Sequence, residues 1–390
     1  MKKNYPIGIQ SFEEIRKGNY CYIDKTALVY KLAESGKYYF LSRPRRFGKS
    51  LLISTLEAYF QGRKELFEGL SMGKLEKEWI EYPILHLDLN AQKYDTPDSL
   101  YDMLNDMLCG WESRYGTRPS ETSLSLRFQG IIQRAAEKTG RNVVILIDEY
   151  DKPMLQVIGN EELMTDYRNT LKAFYGVMKS CDKYIKFALL TGVTKFCKVS
   201  VFSDQNNLMD ISMNNRFASL CGITEEELYR DFKEDIIELG EKNGMTEKET
   251  KATLKEMYDG YHFTEKSEDI YNPFSLLNTF AQMRFGSYWF ETGTPTFLVE
   301  LLKHSRYNLY RFTEEMADAD SLEGIDTMHT NPVPILYQSG YLTIKGYDKE
   351  FRAYYLGFPN KEKRWKKDSR GSSPKSVGNQ YPGETRTFIR

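Results

Sequence analysis

The feature that most constrains the fold is a Gly-Lys-Ser tripeptide, residues 48–50, between a strand-like and a helix-like run. The apolar run Tyr38–Leu41 precedes it, and the run Leu51–Phe60 that follows is typical of a helix. Strand, tight loop, Gly-Lys-Ser and helix is the order of a phosphate-binding P-loop, in which backbone N–H groups and the helix dipole attract an anion. In such a loop, Lys49 reaches the outer phosphates of a nucleotide and the Ser50 hydroxyl binds Mg²⁺.

The loop departs from the full pattern G-x-x-x-x-G-K-[ST] at its first glycine position, which is Arg43 here. Its remaining glycine is Gly48, and Pro44 stiffens the turn. By itself the tripeptide is a weak signal, because ordinary exposed turns also contain it. We predict that the phosphates of a nucleotide are contacted by the end of the loop and the start of the helix, through Arg45, Arg46, Phe47, Gly48, Lys49, Ser50 and Leu51.

A second run supports this interpretation. Residues 143–147 are five consecutive aliphatic residues, and Asp148 and Glu149 follow directly. An apolar run of this kind is typical of a strand buried on both faces of a parallel sheet, and two carboxylates at its end form the Walker B pattern. Asp148 is predicted to hold Mg²⁺ together with Ser50, and Glu149 to orient and deprotonate the attacking water. The alternative is a core strand that runs into an acidic turn.

Two more strands are predicted for the same sheet. Residues 184–190 are apolar except for Lys186 and lead into a polar segment with Thr191 and Thr194. NTPases with a catalytic glutamate usually carry a polar sensor at the end of the strand beside Walker B, so we assign this role to Thr191, with Thr194 as the alternative. Turn chemistry alone also explains threonines at a strand end. Residues 83–89 predict the other strand, in which His86 is interpreted as a packed sheet residue.

Taken together, these motifs resemble the bacterial AAA-ATPase-like family. The resemblance extends from about residue 5 to about residue 362, and is carried by residues 22–26, 39–50, 146–153, 190–196, 258–263, 271–275, 336–342 and 356–360. It implies an α/β fold, a P-loop NTPase with a mostly parallel, AAA-like sheet, and Mg²⁺-dependent binding and hydrolysis of ATP. It also makes Arg-Pro-Arg-Arg-Phe-Gly-Lys-Ser that family's own form of the P-loop.

AAA-like enzymes often complete their site with an arginine from a neighbouring subunit. Arg216, which follows the sensor strand, is the best-placed candidate, and it would require a homo-oligomer. The alternatives are a surface or interdomain salt bridge for Arg216, and an action in cis by Arg45 or Arg46.

The resemblance ends after Lys363. Members of the family usually continue into a PD-(D/E)XK-type nuclease domain, which we expect to be missing here. Residues 361–390 contain nine Lys or Arg and three acidic residues, hence 9 − 3 = +6, and we predict a disordered basic tail. A frameshift or truncation is the favoured explanation, and weak, salt-sensitive contact with nucleic acid is the alternative.

Composition excludes several classes of protein. The formal net charge of −1 gives no overall field that recruits nucleic acid. The five cysteines lack C-x-x-C spacing and the four histidines lack H-E-x-x-H, so neither a disulfide framework nor a zinc site is predicted. We also expect no membrane helix and no signal peptide, and therefore a cytoplasmic protein.

We divide the chain into an AAA-like P-loop ATPase domain, a smaller helical and winged-helix-like domain, and the tail, at residues 1–221, 222–360 and 361–390. In the second domain, Thr224 with Glu227 and Thr246 with Glu249 predict helix starts through capping boxes. The alternative function is a nucleotide-switched regulatory or scaffold module with little intrinsic turnover. The physiological partner is not encoded in any motif that we identify.

Overall fold

The computed structural model of the chain describes residues 4–195, 208–291, 298, 316–318, 321–322 and 331–362. The predicted tail from residue 363 onward lies outside the described residues. The centre of the described part is a five-stranded parallel sheet. Its strands are β1 (Tyr38–Ser42), β2 (Ile84–Asp88), β3 (Val143–Asp148), β4 (Ile185–Gly192) and β5 (Met209–Asp210). β1 to β4 are the four strands that the sequence predicts, so the α/β fold class is confirmed.

Helices cover both faces of this sheet. They are α1 (Phe12–Lys17), α2 (Thr26–Ser35), α3 (Lys49–Phe60), α4 (Ser71–Leu75), α5 (Pro97–Tyr115), α6 (Leu124–Thr139), α7 (Lys152–Gln156) and α8 (Glu161–Ser180). The packing of β3 explains why residues 143–147 are all apolar. Val143, Ile145 and Ile147 join the core beneath α5, α6 and α8, whereas Val144 and Leu146 join the core beneath α1, α2 and α3. A strand buried on both faces has no polar side.

The strand order is β2-β3-β4-β1-β5. β4 therefore lies between the strand that precedes the P-loop and the strand that ends in Asp148. Ser42 at the end of β1 is in register with Gly192 of β4, and Asp148 at the end of β3 is in register with Asp88 of β2. Because all these strands are parallel, their carboxyl ends meet at one edge of the sheet, which is where ligands bind in open α/β sheets.

The second half of the described part is mainly helical. It contains α9 (Glu225–Asp231), α10 (Lys233–Asn243), α11 (Glu247–Tyr258), α12 (Pro273–Gln282), α13 (Tyr288–Glu291) and α14 (Val333–Gln338). A small antiparallel sheet in the order β6-β8-β7 follows, built from β6 (Met316–Asp318), β7 (Thr343–Asp348) and β8 (Ala353–Gly357). Both capping boxes are present, at the starts of α9 and α11. α14, β7 and β8 lie within the segment predicted to be winged-helix-like, and the winged-helix interpretation itself stays a prediction.

The two halves share cores. Phe47 of the P-loop packs edge-on against Tyr261 and Phe263, with ring centroids 4.8 and 5.6 Å apart. Leu336 of α14 and Ile344 of β7 belong to the same hydrophobic cluster as β3 and β4. The helical half is therefore positioned directly against the nucleotide-binding loop, and the boundary predicted at residue 221 remains a prediction. In the described part of the chain, no helix is both long and apolar enough to span a bilayer.

Candidate nucleotide-binding site

The P-loop turns directly into α3. Gly48 is the residue before the helix and has φ 93°, a left-handed conformation that glycine adopts without strain. A Cβ built on Gly48 would have no atom within 4 Å, so open space lies in front of the helix start. Arg46 also has a positive φ, 67°, and its guanidinium lies 4.9 Å from the ring centre of Phe274 on α12. That cation–π contact helps to hold the loop in this conformation.

Lys49, the first residue of α3, is buried beside Glu149. Its side chain is 4% exposed, and its Nζ lies 3.3 Å from Glu149 Oε1. The same Nζ donates a hydrogen bond to the Arg43 carbonyl at 3.2 Å. The end of β3 and the start of α3 are thus joined by an ion pair, at the place where a P-loop lysine meets phosphate.

Asp148 and Thr191 meet across neighbouring strands. Thr191 lies within β4, and its hydroxyl donates to Asp148 Oδ1 at 2.5 Å. The backbone N–H of Glu149 donates to the same oxygen at 3.0 Å. Both bonds use Oδ1 of a buried carboxylate, and among the hydrogen bonds of the described residues none uses Oδ2. The carboxylate is therefore oriented, with one oxygen left for a cation or water.

The chain turns sharply after β3. Glu149 has φ 53°, an uncommon conformation for a residue with a side chain, and such strained residues often occur at functional sites. Two residues later, the fully buried Asp151 accepts hydrogen bonds from the Val193 and Thr194 N–H groups at 3.2 and 2.7 Å and from the Thr194 hydroxyl at 2.8 Å. Burial, together with the nearby charge of Glu149, raises the pKa of Asp151 to about 6. Asp151 thus ties the turn after β3 to the end of β4.

Comparisons with known proteins identify the family of this chain. A model of the AAA-ATPase-like family, described as "Predicted AAA-ATPase", matches residues 6–202. The chain belongs to this family. An uncharacterized protein of Azotobacter chroococcum mcd 1, encoded in the vnfD 5′ region, is 38% identical over 365 residues, which are 93% of this chain and 68% of that protein. Family membership and the P-loop together assign nucleotide binding to this AAA-ATPase-like protein.

Among solved structures, the chain is similar to the ORC2 protein of Aeropyrum pernix, solved in ADPNP–ADP complexes. The TM-score is 0.30 and the sequence identity 10%, over 86% of this chain and 88% of that one.

Arg43, which occupies the first glycine position of this AAA-ATPase-like P-loop, is a buried brace. Its guanidinium donates to the carbonyls of Ser42, Ser212, Phe217 and Ala218, at 2.9, 2.7, 3.4 and 3.3 Å. It also lies 4.2 Å from the ring centre of Phe263. Burial lowers the pKa of Arg43. The arginine therefore anchors the base of the loop to the segment after β5. It occupies the position of the first glycine in the full P-loop pattern.

The other residues predicted to contact ATP differ in exposure. Arg45, Arg46 and Gly48 are exposed, and Ser50 and Leu51 are half-buried at the start of α3. Phe47 is buried. Its ring packs against the helical half, so its contact with a phosphate would have to come from its backbone.

Arg216 stands apart from this group. It lies in a short 3₁₀ turn, Asn215–Phe217, and its guanidinium is 5.7 Å from the ring centre of Phe217. Its side chain is exposed, and no hydrogen bond or ion pair formed by the described residues joins it to Lys49, Asp148 or Glu149.

Two features of the site are not predicted from the sequence: the hydrogen bonds of Asp151 and the bracing role of Arg43. For Asp151, the acidic turn 148–151 is the one available signal in the sequence.

The donor set fits Mg²⁺ bound with a nucleotide. No group of three or more His, Cys, Asp or Glu side chains able to hold a metal occurs in the described residues. Magnesium in P-loop proteins does not need such a group, because phosphates, waters, one hydroxyl and one carboxylate complete its octahedron. Ser50 and the oriented carboxylate of Asp148 are the oxygen donors of that kind in this site.

Proposed function

We propose that this protein binds ATP with Mg²⁺ at the P-loop and hydrolyses it. The observation that carries the proposal is the convergence of Lys49, Asp148, Glu149 and Thr191, from three different segments, at one edge of the parallel sheet. Lys49 and Glu149 are 3.3 Å apart, and Thr191 is hydrogen-bonded to Asp148. Phosphoryl transfer needs a cation, a metal-binding carboxylate and a base in one place.

Each residue has a distinct role in this proposal. Lys49 binds the outer phosphates with its ammonium group, and the backbone N–H groups after Gly48 bind them at the helix start. Mg²⁺, held by Ser50 and Asp148, neutralises charge on the phosphates. Thr191 keeps the Asp148 carboxylate in one orientation. Glu149 orients the attacking water and accepts its proton.

The Lys49–Glu149 ion pair also favours the second candidate, a nucleotide switch with little intrinsic turnover. While Glu149 is bound to Lys49, its carboxylate is held away from a water. The triphosphate competes for Lys49 and so releases Glu149. If this exchange is slow or needs a partner, the protein binds ATP but hydrolyses little of it alone.

Nucleotide binding is tested by titrating Mg²⁺-ATP against wild type, Lys49→Ala and Lys64→Ala. Lys64 is an exposed lysine in the short 3₁₀ helix beyond the other end of α3, and serves as the matched control. Charge-assisted hydrogen bonds contribute about 1.5–3 kcal/mol, so Lys49→Ala should bind roughly tenfold or more weakly. Equal affinities of Lys49→Ala and wild type would refute the P-loop assignment.

Chemistry is separated from binding by two substitutions. Glu149→Gln should retain nucleotide binding and lower turnover by roughly 10² or more, the scale of a lost general base. Asp148→Asn should instead weaken the dependence on Mg²⁺. Turnover measured with and without DNA, beside the oligomeric state, distinguishes an ATPase from a partner-dependent switch.

Arg216 is proposed to act on the site of a neighbouring subunit. Its exposure supports this role, since an arginine acting in trans must be accessible. Mixing Arg216→Ala with Lys49→Ala protein should restore part of the activity, because each supplies what the other lacks. No recovery in a verified mixed oligomer would eliminate the trans role and leave a surface role for Arg216.

The cytoplasmic location and a weak, salt-sensitive contact of residues 361–390 with nucleic acid are carried forward as parts of the proposal. Deleting residues 364–390 should leave ATP binding and thermal stability nearly unchanged. The deletion should also abolish any retention of DNA at low salt, and unchanged retention would contradict the tail contact.

A further inference from the structure

A second recess lies away from the P-loop, where the end of α11 meets β7 and the segment after β8. Its volume is about 590 Å³, and Lys255, Asp259, Asp269, Lys345 and Lys361 contribute its charged groups together with Glu256. We call it the Asp259 groove. Volumes of this size are typical of small-molecule sites. Asp259 and Gly260, from the 258–263 segment that resembles the family, line the groove, and the proposed nucleotide chemistry does not use them.

The walls of the groove are held close together. Gly260 has φ 88°, and a Cβ built on it would lie 2.2 Å from the Pro359 carbonyl oxygen. Asn360 donates a side-chain hydrogen bond to the Asp259 carbonyl at 2.7 Å, and the Lys361 N–H donates to the Glu256 carbonyl at 3.0 Å. The turn at residue 260 and the segment after β8 therefore form a built recess that requires glycine at this position.

Asp259 differs from the other charged residues of this groove in its burial and its hydrogen bonding. It is 3% exposed, and its Oδ1 accepts no hydrogen bond from any described residue. Its carboxylate lies within electrostatic reach of the groove residues Asp269 and Lys255, and burial raises its pKa to about 7. The Gly260 N–H interacts with this carboxylate, but a buried Oδ1 without a donor is costly, so this site favours a ligand that brings one.

The other charged groups of the groove have partners. Lys255 pairs with Glu225 at 3.0 Å, and Lys361 pairs with Glu256. Asp269 pairs with His262 at 3.0 Å. Lys345 donates to the Pro359 carbonyl at 3.1 Å. It lies within electrostatic reach of Asp259 and Asp269, but no ion pair among the described residues joins Lys345 to Asp259. What the groove offers to a ligand is therefore the negative oxygen of Asp259.

We propose that the Asp259 groove binds an organic cation with a primary ammonium or guanidinium group, whose N–H donors pair with the Asp259 carboxylate. A bare metal ion fits less well, since no cluster of three acidic, histidine or cysteine ligands exists in the described residues. An N–H donor forms a directional, charge-assisted bond with a carboxylate even when a lysine is nearby. The volume leaves room for a larger group attached to the cation. This proposal is independent of the chemistry at the P-loop.

The test is calorimetric titration of the full-length chain with agmatine, which carries both a guanidinium and a primary ammonium group. It is run at about pH 8, where Asp259 is ionised. Tetramethylammonium at equal ionic strength is the comparison ligand, because it has the charge but no N–H donor. Wild type should bind agmatine, and Asp259→Asn should bind it roughly tenfold or more weakly. Glu256→Gln, an acidic residue of the same groove that is already paired, should bind within about twofold of wild type.

A second variant, in which agmatine affinity should rise rather than fall, tests the proposal if Asp259→Asn does not fold. Lys255→Met removes a positive charge that opposes the ligand, at a half-exposed position, and should tighten agmatine binding a few-fold. The proposal is overturned if agmatine gives no binding, if tetramethylammonium binds equally well, or if Asp259→Asn binds like wild type. If Asp259→Asn does not fold, unchanged affinity in Lys255→Met overturns it instead.

Discussion

Replacing Glu149 with Gln should make the protein bind Mg²⁺-ATP more tightly while it removes turnover. The Glu149 carboxylate lies 3.3 Å from the Lys49 ammonium. The γ-phosphate has to displace that carboxylate before it can bind Lys49, and the displaced negative charge remains close to it. Glutamine keeps the size and the backbone conformation of residue 149 but removes the competing charge.

The magnitude follows from the distance. Two unit charges 3.3 Å apart attract by about 5 kcal/mol at an effective dielectric constant near 20. Glu149 is 21% exposed, so part of this attraction is screened, and water that solvates the freed carboxylate offsets more of it. A net gain of about 1–2 kcal/mol remains, equivalent to roughly 5-fold to 30-fold tighter binding.

Fluorescence titration with ATP, ADP and AMP would measure this effect. AMP is the decisive comparison ligand, because it lacks the outer phosphates that reach Lys49, and its affinity should not change. Glu137→Gln, an exposed acidic residue on α6, is the matched control. Unchanged or weaker ATP binding by Glu149→Gln, or an equal gain for AMP, would refute the competition between Glu149 and phosphate.

Three further substitutions test separate parts of the structure. Arg43→Met removes the hydrogen bonds to the Ser42 and Ser212 carbonyls and should lower the free energy of unfolding by about 2–4 kcal/mol. Arg43→Lys should recover only part of this loss. An unchanged urea midpoint would show that these hydrogen bonds are not needed for stability. Thr191→Val removes the hydroxyl bound to Asp148 and should lower kcat roughly tenfold, while the Kd for nucleotide stays within a few-fold of the wild-type value. A kcat equal to that of wild type would show that Thr191 does not orient the Asp148 carboxylate for catalysis. Asp259 has its pKa raised from 3.8 to about 7, so the folded state binds a proton more tightly than the unfolded chain. The stability of wild type should therefore fall, relative to Asp259→Asn, as the pH rises from about 4 to about 7 and stay level above that; a constant difference between the two proteins across this range would contradict the assignment.

Local patterns in the sequence predict much of this fold. β1 and β3 are recognised from their apolar runs, residues 38–41 and 143–147, because a strand buried on both faces is apolar on both sides. α9 and α11 are recognised because Thr224 and Thr246 with their glutamates are self-contained capping signals. The P-loop is recognised because Gly48-Lys49-Ser50 combines turn and helix chemistry within three residues.

Long-range contacts explain what the sequence does not predict. Arg43 resembles a loop residue in sequence, but its partners lie about 170 residues further along the chain, at Ser212 to Ala218. Asp151 becomes a structural acceptor only because β4 runs beside β3. β5 and β6 contain two and three residues, too few for a periodic pattern. The catalytic and metal-binding roles of the site residues stay predictions, since they concern chemistry that geometry alone does not report.

The most direct test of the central claim is the steady-state release of phosphate from ATP by wild type, Lys49→Ala and Glu149→Gln, each with Mg²⁺ and with the metal chelated. We predict that wild type turns over only with Mg²⁺, that Glu149→Gln is slower by roughly 10² or more while still binding ATP, and that Lys49→Ala is inactive because it binds ATP poorly. Turnover that survives chelation, or equal rates for the three proteins, would contradict the account.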